Sequence, residues 1–370
     1  MSLTAPRPTV TGTGGDGGDH DGSPPGGGPA GRLGAGWLVA GVAAAAAAAV
    51  AGIALGPVDL PLPAVVLALL DRLPLVDLPS GLSDRDLAIL WQLRVPRVAL
   101  GLLVGAMLAT AGAGYQGVFR NPLADPFLLG IAAGAGVGAT LAIVYGPSQS
   151  AGVVDLLPLA AFAGALLGVA ATYVLSRSVT GDRSPVSLIL AGVAVAAFFT
   201  AIQTFVQMRN ADSIRRVYAW LFGSLATTGW YDVALILPYV VVSALVLLAH
   251  RRLLDVLGVG DREAVALGVP VTRVRVAVVV AASLGTAAAV AVSGLIGFVG
   301  IIVPHAVRLL AGWSYRSVLP LSLLFGGAFM VATDLIARLA LAPAEIPIGV
   351  VTAFLGAPFF VVVLRQRGAS

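Results

Sequence analysis

The side chains of this chain that could do chemistry are few and scattered. Three histidines stand at positions 20, 250 and 305. His20 lies in a glycine- and proline-rich stretch and His250 sits beside Arg251 at the end of an apolar run, a spacing that makes no metal cluster. His305 follows Pro304 inside an apolar run, where a polar residue defaults to a functional reading. A helix-end histidine bonded to a freed carbonyl is the simpler account. Ser293–Gly294 with His305 would be a weak protease signal: the glycine-flanked nucleophile pattern is missing, and the two positions are close in sequence. Asp334 is the main acidic residue within an apolar run, and Arg338, four residues on, predicts a local ion pair. Cysteine is absent, which removes disulfides and thiolate metal sites. All 22 basic residues are arginine. A phosphate-binding Walker loop needs its lysine, so the chain cannot house a standard ATPase site. No catalytic residue, cofactor or metal is expected.

The elements that would position these residues are membrane spans. Hydrophobic residues make up 58% of the 370 and charged ones 11%, a balance foreign to water-soluble domains. Apolar stretches fall at 35–56, 95–114, 127–146, 153–176, 187–208, 232–250, 273–293, 296–312, 318–341 and 347–364, each near the length needed to cross about 30 Å of hydrocarbon. The fold class expected is an all-α polytopic membrane protein of about ten transmembrane helices over residues 35–367. Residues 1–34 are expected to be a disordered cytoplasmic tail. The proline-rich segment 57–93 carries one short surface helix at LPAVVLALLDRL. Arginine crowds the loops that are internal if the N-terminus is inside, which places both termini in the cytoplasm. The arginines are spread over loops, so nucleic acid is not an expected partner. Glycines four apart (Gly130, Gly134 and Gly138; Gly101 and Gly105; Gly164 and Gly168) read as close helix packing within the chain. In 293–310, three glycines and Pro304 predict a broken helix near a cavity.

Three blocks carry more information. Residues 94–138 hold RVPR, QGVFRNPLADP and LGIAAGAG; residues 293–310 read SGLIGFVGIIVPHAVRLL; residues 334–360 read DLIARLALAPAEIPIGVVTAFLGAPFF. The set closely resembles the permease subunits of type II ABC importers for ferric siderophores, haem and cobalamin, and covers most of the chain from Trp91 onward. The resemblance implies an inner (plasma) membrane permease working with a second copy, as a homodimer or with a close paralogue. Two ATP-binding cassette subunits would dock below and an external substrate-binding protein above. The permease itself would not be an enzyme. A ferric siderophore is the first substrate expected, with cobalamin and haem as alternatives.

Site residues follow from the same resemblance. Arg94, Arg97 and Arg338 match family arginines that meet acidic side chains of the binding protein, and Pro96 would hold the first two as a fixed outward pair. Between the sixth and seventh spans, DREAVALGVP matches the coupling helix that docks in the ATPase, assigned to 261–268 with Asp261, Glu263, Ala264, Ala266, Leu267 and Gly268. From physics alone this segment reads as an interfacial helix with Asp261 at its N-cap; the small Ala264 and Ala266 suit a groove. The gate is expected at Ser184, Pro185, Val186 and Ser187, although a pair of small hydroxyl residues in cobalamin permeases is replaced here by Pro185 and Val186. Pore lining is expected from the fifth and tenth spans. An ion-coupled secondary transporter is the rival from another class, and the scarcity of carboxylates in the spans opposes it. Single cysteines would test the topology in a chain that has none. A cysteine at Asp182 should be blocked only by reagents that enter the cytoplasm, and one at Ser80 by an impermeant reagent outside. A cysteine at Gly260 should behave as the one at Asp182, and its labelling from outside would invert this orientation and detach the coupling-helix assignment.

Overall fold

The structure, a computed structural model, describes residues 34–58, 60–72, 78–147, 155–180, 185–226 and 229–368. The tail expected over 1–34 therefore lies almost wholly outside the described residues. Among the described residues all regular structure is helical. In chain order the helices are α1 (Ala35–Ala54), α2 (Leu62–Asp71), α3 (Asp84–Ile89), α4 (Val95–Phe119) and α5 (Ile131–Tyr145). Next come α6 (Leu156–Thr180), α7 (Pro185–Arg209), α8 (Ile214–Leu221), α9 (Trp230–Ala249) and α10 (Arg251–Val259). The last are α11 (Asp261–Ala266), α12 (Val271–Ser293), α13 (Val299–Ala311), α14 (Tyr315–Leu339) and α15 (Ile348–Gly368).

Each of the ten expected spans coincides with one of these helices. Seven helical stretches are long and apolar enough to cross a membrane, while α5, α13 and the apolar part of α15 are shorter. The α2 helix is the short element expected between the first two spans. A π-helical turn at Leu90–Arg94 joins α3 to α4 without a break, and Pro96 follows just after it, where a proline without an N–H interrupts the i→i−4 ladder of the continuous helix. The α4 helix runs five residues past the predicted end of its span, so Gln116 is a buried helical residue. It ends where Arg120 adopts a left-handed φ of 49° ahead of Pro122.

The α4 helix is the core, enclosed by α1, α9, α12, α13 and α14. The closest approaches occur at glycine. A Cβ on Gly105 would lie 2.2 Å from the Gly326 carbonyl of α14, and one on Gly112 would lie 2.2 Å from the Gly300 carbonyl of α13. The predicted small-residue stripes meet one another: Gly134 faces Gly164, Gly130 faces Gly168, and Gly138 faces Ala160 along the antiparallel pair α5–α6. In lipid no hydrophobic force drives helices together, so this backbone-to-backbone packing is itself the cohesion.

The predicted break in 293–310 is present. Helix α12 stops at Ser293, Gly294 turns at φ 69°, Phe298 adopts φ 68°, and α13 resumes at Val299. This irregular stretch meets two others. The Ser224 N–H donates to the Ser293 carbonyl (2.8 Å), and the Gly349 N–H to the Phe222 carbonyl (2.9 Å). Breaks after α8, after α12 and before α15 thus satisfy one another's backbone. The packing predicts that Gly134→Leu, which forces a side chain against the Gly164 carbonyl, lowers stability by about 1–3 kcal/mol. Gly36→Ala, where nothing lies within 4 Å, should be neutral. Thermal unfolding of the purified proteins in detergent distinguishes the two.

Candidate functional site

At one end of the bundle four charged side chains form a network. Arg97, from the first turn of α4, donates to Asp334 of α14 through Nη2 (2.8 Å) and Nε (3.1 Å), and to both oxygens of Glu345 (2.9 Å each). Asp334 also meets Arg338 Nε at 3.0 Å, the i+4 pair read from the sequence. Asp334 and Arg338 are each only 3% exposed at the side chain, whereas Glu345 is 39% exposed. Arg97, Asp334 and Glu345 line a cleft of about 210 Å³ beside Ser224 and Ile348.

The outward arginine pair expected at Arg94 and Arg97 is not what the structure shows. Arg94 is 6% exposed. Its Nη1 donates to the carbonyls of Ile53 (2.9 Å) and Ala54 (2.7 Å), and its Nη2 meets the Val58 carbonyl. Arg338 reaches the same place, donating to the Gly52 carbonyl at 3.0 Å. The reason is physical: the last carbonyls of α1 have no intrahelical donor and carry the negative end of the helix dipole. Two guanidinium groups satisfy them. Arg97 joins an exposed partner, Glu345.

At the other end lies α11. Its N-cap is Gly260, with φ 153°, and not Asp261 as expected. Asp261 is the first helical residue, and its carboxylate is held by Arg275 of α12 (3.0 Å) and Arg120 after α4 (3.3 Å). Gly268, at φ 80°, ends the element where the sequence placed its stop. Ala264, expected against a partner groove, is fully buried in this chain's own core. The outward face is instead Arg262, Glu263, Val265, Ala266, Leu267 and Gly268, with Leu267 70% exposed. Of the expected gate, Ser184 lies outside the described residues and Pro185 opens α7. Val186 is exposed, and Ser187 is buried with its hydroxyl 2.9 Å from that of Ser176.

Other polar residues have structural work. His305 is not at a helix end: it sits within α13, buried, with Phe359 of α15 edge-on at 5.5 Å. His250 ends α9, its Nδ1 2.7 Å from the Val246 carbonyl. The Ser293 hydroxyl donates to the Ala289 carbonyl. Two contacts had no local sequence signal. Gln116 donates to the Gly300 carbonyl (2.8 Å) and accepts from Arg308 (2.5 Å), joining α4 to α13. Asp255 of α10 accepts from the Tyr315 N–H (2.6 Å) and the Ser314 hydroxyl (2.8 Å), holding the start of α14.

A profile described as the FecCD transport family matches residues 44–366. The chain belongs to that family. Among the relatives of this FecCD chain is the cobalamin import system permease protein BtuC of Halobacterium salinarum, 44% identical over 308 residues, covering 83% of this chain and 80% of that protein. The Fe(3+) dicitrate transport system permease protein FecD of Escherichia coli is 37% identical, covering 75% and 86%. A solved structure described as an inward-facing, metal-chelate type ABC transporter superposes with a TM-score of 0.76 at 30% identity, covering 89% of this chain and 98% of that one. This FecCD chain is thus an ABC importer permease, a multi-pass membrane transport subunit.

The ion network generates a prediction. Asp334→Asn leaves two arginines without their buried counter-charge and should cost about 3–5 kcal/mol. Glu345→Gln, at the exposed edge, should cost no more than about 1 kcal/mol. Comparable melting temperatures for the two variants would contradict this ranking.

Proposed function

We propose that this chain forms half of the translocation path for a bulky metal chelate, with cobalamin as the first candidate. The observation that carries the substrate reading is the 44% identity to a cobalamin permease. Ferric citrate permeases at 37–38% identity make an iron chelate, the siderophore class of the sequence reading, the second. The second half is another copy of the chain. In support, α7 and α15 turn long apolar faces outward, including Leu190, Phe198, Phe205, Phe354 and Val361, with no acidic residue along either helix. Those faces would meet the partner copy and line the path between them.

In the orientation we propose, the N- and C-termini and α11 face the cytoplasm. ATP hydrolysis belongs to two separate cassette subunits that dock on the outward face of α11, with Val265 and Leu267 as the apolar contacts. An external binding protein would dock at the Arg97–Glu345 end. There Arg97 is the reachable cation, while Arg94 and Arg338 hold the platform by fixing α1. This gives the three arginines one site and two tasks. Transport is then alternation of a two-state bundle driven from α11.

Uptake tests the reading. Cells lacking their own permease, supplied with this chain and its cognate ATPase and binding protein, should accumulate labelled cobalamin. Accumulation of ferric citrate alone would move the substrate to the second reading, and accumulation of neither would exclude both as substrates. Leu267→Asp, on the exposed face, should reduce copurification of the ATPase at least tenfold while the permease still inserts. Ala264→Trp should instead destabilise the permease itself, since Ala264 faces inward.

A further inference from the structure

Between α6 and α12, toward the end of the bundle that carries α11, an open-sided slot encloses about 510 Å³. Its walls are aliphatic: Leu166, Val169 and Ala170 from α6, and Val276, Val280 and Leu284 from α12. Ala170 and Val280 are exposed, so the slot opens sideways, in the plane of the membrane. Several of its polar groups are used by the chain itself. Thr172 donates to the Leu129 carbonyl, Ser283 is bonded to the Tyr115 hydroxyl, and Tyr173 also has a partner within the chain. Tyr173, Thr272 and Arg275 gather at one end.

Arg275 gives Nη2 to Asp261, but its Nε–H is buried without a hydrogen-bond partner. Exposed Arg273 and Arg177 stand near the same ends of α12 and α6, and the Asp261 carboxylate is already shared with Arg120. The rim is therefore net positive. An extended hydrocarbon chain fits its width and its walls. A basic cluster at the end of a hydrocarbon slot is the arrangement that recognises an anionic lipid headgroup.

We propose that this slot holds one acyl chain of an anionic phospholipid, with the phosphate on Arg275. Arg275 is also one of the two arginines that hold Asp261 of α11, so the lipid and Asp261 share one guanidinium. Occupancy of the slot and the hold on α11 are thereby linked.

The test reconstitutes the full-length chain in bilayers containing phosphatidylglycerol with a photoreactive diazirine in one acyl chain. Crosslinks read by mass spectrometry should concentrate in 166–173 and 276–284. Unlabelled phosphatidylglycerol should suppress them at least fivefold more effectively than unlabelled phosphatidylcholine, a comparison that needs no variant. Ala170→Phe, at an exposed wall position, should reduce slot labelling at least fivefold, and Arg275→Gln should erase the preference for the anionic lipid. Crosslinks spread evenly over the outer faces of α1, α7 and α9, or equal competition by the two lipids, would overturn the proposal.

Discussion

The carbonyl oxygens that end α1 are the constraint on which the Arg97 end of the molecule depends. A hydrocarbon layer offers no water to meet them, and the chain does so with Arg94 and Arg338. Those cations then need a counter-charge. Asp334 supplies it to Arg338 and is balanced in turn by Arg97, which reaches on to Glu345. The sequence of obligations runs from α1 through α4 and α14 to the segment before α15. No single pair in it is worth much alone, because burying charge costs about as much as pairing returns. The network is kept because removing its buried carboxylate, Asp334, strands two arginines.

A comparable logic governs α4. Its glycines admit the backbones of α13 and α14 to contact distance, and Gln116 then closes the one polar seam this creates, donating to the carbonyl of Gly300. Pro304, four residues on, has no N–H to give the Gly300 carbonyl, and the close approach buries that acceptor. Close packing and polar satisfaction are here one requirement met by two residues.

Much of this was legible in the sequence because it is local. Span positions follow from run length, the glycine stripes from a spacing of four, the Asp334–Arg338 pair from i+4, and the end of α11 from Gly268. What was illegible depends on partners far along the chain. Arginines at a span end look alike whether they face solvent or a helix terminus. Arg94 turns inward because α1 ends beside it, some forty residues away. In α11, a six-residue helix, a small side chain suits either face, and only the tertiary setting shows that Ala264 belongs to the core and Leu267 to the surface. Asp261 loses the cap because Gly260 adopts a φ open mainly to glycine, which frees the carboxylate for two arginines.

The three helix breaks that bond to one another have a mechanical meaning. Phe222, Ser293 and Gly349 belong to separate stretches of chain, yet their peptide groups form one hydrogen-bonded knuckle. Glycine holds it tight: a methyl group on Gly294 would strike the Trp220 carbonyl and one on Gly349 the Phe222 carbonyl. Bending at one break therefore cannot be confined to it, since it would part a hydrogen bond that also holds its neighbour. The joint ties the end of α8, the end of α12 and the start of α15 into one piece, so a displacement of any one is carried to the others.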